Sequence, residues 1–251
     1  MLSNSNYKVR ADPIDWRDRY YNFARVPLRE VVDLRPWSSA IEDQQHLGSC
    51  TGHAIVGAFE LMLKKQNPDS FVDLSRLFVY YNARLIEGVV NNDDGAYVRD
   101  AIKAVNQYGV CKEELWPYVL NLYSVTPPAE CYEDAKNRVI DRYYKLQNLH
   151  DILDALNADH PIVTSIEVYT NFEKLESTSD YVLKLPESTD TLLGAHAITL
   201  VGYDQTKRLI LARNSFGDNW CMQGYFWISF DYVEKHVMDS WIFDIKVFEN
   251  L

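Results

Sequence analysis

The chain has 251 residues, 47% of them apolar and 24% charged. That composition fits an ordinary globular protein and excludes the disordered, collagenous and disulfide-dense classes. With 36 Asp and Glu against 25 Lys and Arg, the net charge is -11; no basic run is present, so no nucleic-acid partner is expected.

Residues 1–30 carry Tyr, Arg, Asp and Asn without sustained periodicity, and Pro13 and Pro27 interrupt any helix there. Residues 1–25 therefore read as an N-terminal extension. Ser3, Asn4, Ser5 and Asn6 are polar where a secretory signal needs an apolar stretch, and nowhere do about 18 apolar residues run together. The expectation is a cytoplasmic protein, or one delivered without a signal peptide, with no membrane partner. Residues 50–66 are apolar on nearly every side until Lys64, which predicts a helix inside a core, ended by Asn67-Pro68-Asp69. A second helix is predicted from a Ser75 cap to Gly88. A third places Tyr97, Ala101, Ala104, Val105 and Tyr108 on one stripe before Gly109. After Pro127-Pro128 the signal changes: Leu149, Ile152, Leu153 and Leu156 mark one short helix, and strands are predicted at 162–168, 196–203, 208–213 and 224–230. The polar stretch 170–193 reads as a long surface connection. Helices first and strands later predict an α+β protein with two lobes and a cleft between them.

Cys50, Cys111, Cys131 and Cys221 are too widely spaced for a zinc knuckle or a disulfide frame. Cys50 begins the buried helix, where unpaired N–H groups and the dipole favour a thiolate and predict a lowered thiol pKa. A small packed residue is the plainer alternative. Gly48 beside it would let a substrate backbone come close. A thiol nucleophile needs a base, and among His46, His53, His150, His160, His196 and His236 the one that stands apart is His196, at the head of the apolar run AHAITLVGY. His53 shares a helix face with Cys50 but lies deep in an apolar segment. Asn214 can accept a ring N–H and orient a histidine while Trp220 shields the bond, although Asn-Ser-Phe-Gly by itself is a turn signal. Gln44 can aim an N–H at an oxyanion beside the Cys50 backbone N–H, and alone it is an ordinary glutamine.

Taken in order, Gln44, Cys50, His196 and Asn214 make the sequence resemble the papain-like cysteine peptidase family. The matching stretches are DQQHLGSCTGHA, LLGAHAITLVGYD and LILARNSFGDNWCMQGYFWIS, with LSRLFVYYNAR and DDGAYVRDAIKAVNQYGVCKEELWPY between the first two. They span roughly residues 26–236. The resemblance implies a papain-like unit over 26–251, with a helical lobe at about 45–135 and a β-rich, barrel-like lobe at about 136–236. It carries the nucleophile onto Cys50, the base onto His196, base orientation onto Asn214 and oxyanion stabilisation onto Gln44. Gly95 is implied to pair with the substrate main chain, with Gly48 and Trp220 as further substrate-binding residues. A protein or peptide would be the substrate, a protein inhibitor a further partner, and no metal or organic cofactor is required. A glutamine deamidase or transamidase, or a non-catalytic peptide-binding module, would use the same cleft.

Several residues depart from the family pattern. Leu47 stands where many secreted members have a disulfide cysteine, Thr51 where an aromatic follows the nucleophile, and Phe216 where a tryptophan covers the His-Asn pair. Gln45 replaces a frequent glycine and His53 an apolar residue. About 30 residues precede the match, fewer than the large inhibitory prosegment of many members. The aromatic cluster Trp16, Tyr20, Tyr21 and Phe23 is expected to fill substrate pockets and lower activity; otherwise the extension packs on the surface or frays.

Overall fold

In the computed structural model, residues 7–22, 26–68 and 71–248 are described; Phe23, Asp69 and the polar stretch 3–6 lie outside them. Helix α1 (Cys50–Gln66) is buried round most of its girth, from Cys50 through Leu61. Against it pack α2 (Arg76–Glu87), whose Ser75 side chain accepts from the Phe78 N–H, and α3 (Val98–Tyr108). Tyr97 caps α3 with extended backbone instead of joining its stripe. A short α4 (Ala129–Ala135) completes the helical part and was not predicted.

Eight strands form one sheet: β1 (Val31–Asp33), β2 (Arg138–Leu146), β3 (Ile162–Tyr169), β4 (Val182–Leu183), β5 (Leu192–Asp204), β6 (Leu209–Arg213), β7 (Tyr225–Ser229) and β8 (Val237–Val247). Their order is β2-β8-β3-β5-β6-β7-β4, with β1 paired to β5. The sheet is open, with β2 and β4 at its ends. All pairings are antiparallel except β4 with β7. Helix α5 (Leu149–Asn157), capped by the Asn148 side chain, packs on β3 and β5, and α7 (Phe230–His236) on β7.

The differences from expectation have a common cause. Residues 170–193 are not a plain surface connection: they form α6 (Thr170–Glu173), a 3-10 turn and β4, with Phe172, Leu175 and Leu183 buried. Polar neighbours hide three anchors spaced too irregularly for a periodic signal. Strand β2 was missed because the charged Asp141, Arg142 and Lys145 break its apolar pattern, and β8 because the buried Asp239 and Ser240 break its own; β8 carries the sheet to Val247, beyond the expected boundary at 236. The run 224–230 splits into β7 and the start of α7.

Two hydrophobic clusters result. One joins α1, α2 and α3 to Val163, Trp241 and Phe243 of the sheet, and the other gathers α5, α7 and strand residues such as Ile198, Leu211 and Phe226. Strand β5 runs alongside α1, and Thr199 Oγ1 donates to the Ala54 carbonyl at 2.9 Å. That crossing brings the head of α1 to the start of β5.

Candidate active site

Cys50 is the first residue of α1, and His196 lies on β5 opposite Ile166 of β3. The Ala197 N–H points at Cys50 Sγ from 3.4 Å, so thiol and imidazole belong to one site although 146 positions separate them. Asn214 follows β6 directly. Its Oδ1 lies 2.7 Å from His196 Nε2 and 2.9 Å from the Ser215 N–H. A backbone N–H can only donate, so this Asn214 atom is the carbonyl oxygen, and Nε2 must carry the proton it donates. The free lone pair of His196 is then on Nδ1, which is buried without a hydrogen-bond partner. A buried proton acceptor without a partner is left.

Gln44 is fully buried, not a surface glutamine. Its Nε2 donates to the Leu47 carbonyl at 2.8 Å, and its Oε1 accepts from Ser215 Oγ at 2.6 Å. One amide N–H remains. Ser215 thus steadies both amides, Gln44 through its hydroxyl and Asn214 through its N–H. Tyr118 adds a third support, donating to the Gln44 carbonyl at 2.9 Å and meeting Ser49 Oγ at 2.5 Å. Sequence reasoning missed both residues. Ser215 was visible inside the Asn-Ser-Phe-Gly turn, whereas nothing local signals Tyr118. Gln45 takes the left-handed backbone (φ 55°) that a glycine adopts freely, and the Asp43 carboxylate holds its N–H at 2.7 Å.

The remaining expected residues are placed as follows. His53 is buried, with Nδ1 on the Ser49 carbonyl and its ring edge-on to Tyr118; burial pushes it down to about 3, so it is a satisfied structural histidine. The shield over His196 is Phe216, tilted 32° with centroids 4.9 Å apart. Trp220 instead sits one ring behind, against Phe172, Phe216 and Phe226, and is buried. Its expected cover of the histidine is corrected accordingly: the aromatic nearest the ring is Phe216.

Residues 7–9 lie along this site. Val9 N–H donates to the Ala195 carbonyl at 3.2 Å, and Ala195 N–H donates to the Tyr7 carbonyl at 3.3 Å. Such an approach needs bare walls. A Cβ on Gly194 (φ 148°) would lie 2.3 Å from the Tyr7 carbonyl oxygen, and one on Gly95 (φ 75°) 2.6 Å from that of Lys8. Gly48, with Lys8 Cδ within 3.0 Å of where its Cβ would stand, lines the same channel. The Tyr7 ring meets the His196 ring edge-on at 6.0 Å. Further along, the Asp12 carboxylate accepts from the Arg99 N–H and the Trp241 indole, while its own N–H donates to Asp239. Of the aromatic cluster expected to fill the channel, the described members Trp16, Tyr20 and Tyr21 do not. Trp16 is 91% exposed, Tyr20 is exposed too, and Tyr21 meets Tyr144 edge-on.

Covering the site reverses one expectation. Burial pushes the Cys50 thiol up to about 12, against the lowering expected from the helix start. Burial likewise pulls His196 down to about 4, opposed by the Asn214 bond. A helix terminus offers about 1 kcal/mol, whereas full burial shifts a pKa by up to about 3–5 units. Desolvation wins, and both groups are neutral in this state. Among the described residues no His, Cys, Asp and Glu group could hold a metal ion, and no helix is long and apolar enough to cross a membrane.

Comparison with known proteins agrees with this arrangement. A family model described as papain family cysteine protease matches residues 28–242. A peptidase C1-like protein of Acanthamoeba polyphaga mimivirus is 36% identical over 227 residues, covering 86% of this chain and 72% of that one. Xylellain, a cysteine protease from Xylella fastidiosa, superposes with a TM-score of 0.89 at 33% identity, over 99% of this chain and 98% of its own. A digestive procathepsin L of Tenebrio molitor larval midgut gives 0.72 at 20% identity, over 95% and 76%; that likeness speaks for the fold alone.

Proposed function

Because this chain belongs to the papain family of cysteine proteases and is therefore a cysteine peptidase, we propose that Cys50, His196, Asn214 and Gln44 carry its chemistry and that residues 7–12 hold it latent. One observation carries the assignment. The hydrogen bonds around Asn214 leave His196 Nδ1 as a free base in the same buried site as the Cys50 sulfur.

When residues 7–9 leave the channel, water reaches the site and the desolvation that keeps both groups neutral is relieved before a peptide enters. The Cys50 proton passes to His196 Nδ1, and Sγ attacks the peptide carbonyl carbon. Charge collects on the carbonyl oxygen, where the Cys50 N–H and the remaining Gln44 N–H receive it. His196 then returns the proton to the departing nitrogen, the C–N bond breaks, and a thioester remains on Cys50. A water, giving its proton to His196, attacks that thioester; the acid leaves and the thiol is restored. Asn214 keeps Nε2–H oriented throughout, and Phe216 excludes water from that bond.

The latent state rests on the placement of Tyr7, Lys8 and Val9 against Gly95, Gly194 and Ala195. A tethered segment has a high effective concentration, so modest contacts outcompete a free peptide.

Two measurements test this reading. Cys50→Ala is expected to abolish hydrolysis of a fluorogenic peptide and labelling by a thiol-reactive epoxide; unchanged hydrolysis would falsify the nucleophile. Removal of residues 1–25 is expected to raise catalytic efficiency on a small peptide, and a folded truncated protein with no such rise would sink the latency.

A further inference from the structure

Lys8 reaches across the channel from its pairing with Ala195. Its Nζ donates to Asp93 Oδ2 at 2.7 Å and to the Asp93 carbonyl. The other carboxylate oxygen, Oδ1, is already held by the Tyr80 hydroxyl at 2.6 Å and by the Gly48 N–H at 2.9 Å. Two donors therefore fix the carboxylate from behind, and Oδ2 is turned toward the channel. Gly48 stands two residues before Cys50, and the Asp93 charge is among the groups that push the Cys50 thiol up. Asp93 is thus a preoriented anion near the reacting sulfur, and the side chain that reaches its Oδ2 here is an ammonium on a long apolar stem.

We propose that Asp93 forms the acidic end of a pocket that selects lysine or arginine on the acyl side of the scissile bond, with Lys8 filling that pocket in the latent chain. The proposal rests on Cys50 being the nucleophile. A basic side chain repeats the Lys8 contact. An uncharged chain of equal length leaves Oδ2 without its donor, and an acidic one meets a like charge. Specificity is that difference. The Lys8 and Asp93 side chains keep 26% and 20% of their exposure, so solvent screens the pair. The selectivity expected from a charge-assisted bond so placed is about tenfold. A net charge of -11 also draws basic peptides toward the protein.

The test uses the full chain and fluorogenic peptides that differ only at the residue preceding the cleaved bond. Lysine and arginine peptides are expected to exceed the norleucine peptide by about tenfold in kcat/KM, and Asp93→Asn to shrink that ratio below about threefold. Equal rates in the unaltered protein, or a ratio that survives Asp93→Asn, would overturn the pocket. A second measurement does not need turnover: the rate of Cys50 alkylation by iodoacetamide, read on the Cys50 peptide by mass, in Lys8→Met, Asp93→Asn and the double variant. If Asp93 holds the ammonium, each change alone speeds alkylation and the two together add little. Independent, multiplying effects would refute it. Absent hydrolysis that persists after removal of residues 1–25, together with coupled alkylation, would instead count against Cys50 as the nucleophile and leave the ammonium contact standing.

Discussion

The two halves of the N-terminal segment differ in a way their composition does not explain. Residues 7–12 bury Tyr7, Val9 and Asp12, while residues 13–22 leave Ile14 and Trp16 wholly in water. The second half has the larger apolar side chains. What the first half has is a place to pair: bare glycine walls, the Ala195 backbone, and donors at Arg99 and Trp241 that satisfy its carboxylate. Unmet backbone groups and shape, not hydrophobicity, decide which residues of a short segment are buried.

The contrast can be broken most forcefully at its buried end. Tyr7→Ala combined with Val9→Ala removes apolar burial worth about 1.5–3 kcal/mol per large side chain, so Cys50 alkylation by iodoacetamide should quicken by about a hundredfold; a constant rate would mean these residues do not close the site.

Asp12 gives a pH-dependent version. Burial, then the nearby Asp239, push its carboxyl up to about 6, with Lys145 on Asp239 and Arg99 on Asp18 completing the charged surroundings. A raised carboxyl pKa favours docking at low pH, where the group is protonated, and that support is lost as pH rises from its ordinary 3.8 through about 6. His196 has the opposite sign: lowered from 6.5 to about 4, it favours docking at high pH and opposes it as pH falls through that window. In the unaltered chain the two largely offset. Asp12→Asn leaves His196 alone, so acidification from pH 6.5 to 4 should loosen the variant relative to the parent by up to about 3 kcal/mol. Amide hydrogen exchange at residues 7–12 reads it, and parallel profiles for the two proteins would exclude the balance.

Gly194→Ala sharpens the comparison from the opposite wall. Its Cβ would stand 2.3 Å from the Tyr7 carbonyl oxygen, and overpacking of this kind costs about 1–3 kcal/mol, so faster exchange at Tyr7 to Val9 is expected while residues 13–22 stay as they were. The smallest effect belongs to Trp16→Ser. With 91% of the residue exposed, stability and Cys50 alkylation should move by less than about 0.5 kcal/mol; a larger change would mean the exposed half contributes to closure.

Legibility in the sequence followed the same division. Cys50, His196 and Asn214 were singled out by residue type and, above all, by their order along the chain, which resembles the papain family; the structure brings them close together. Tyr7, Lys8 and Val9 were unreadable, since their partners, the Ala195 backbone, the Asp93 carboxylate and the His196 ring, lie far along the chain. Trp16 misled because hydrophobicity says that a side chain would gain from burial, not that a cavity awaits it. Helices α1, α2 and α3 were legible from periodicity and caps. Strand β2 was not, because charged Asp141, Arg142 and Lys145 break its alternation, and neither was β8, whose Asp239 and Ser240 are buried in the sheet and satisfied from afar, by Lys145 and Thr164. Ser215 lay in view but its two hydrogen bonds are tertiary, and its weight emerged only with Gln44 beside it.

The pairing of Lys8 with Ala195 also dictates an order of assembly. In an unfolded chain that contact closes a loop of 187 positions, about three-quarters of the protein. Once β1 has paired through Val31 with Asp204 of β5, the loop left to close is only the stretch between Lys8 and Val31. That is roughly three halvings of length, worth about 2 kcal/mol of closure entropy. The favoured route therefore builds the sheet first and lays the segment down afterwards, so each molecule passes through a brief stage with its sulfur uncovered. Refolding in the presence of iodoacetamide should modify Cys50 well beyond what the native protein shows, and protection that arises in step with sheet formation would contradict that sequence of events.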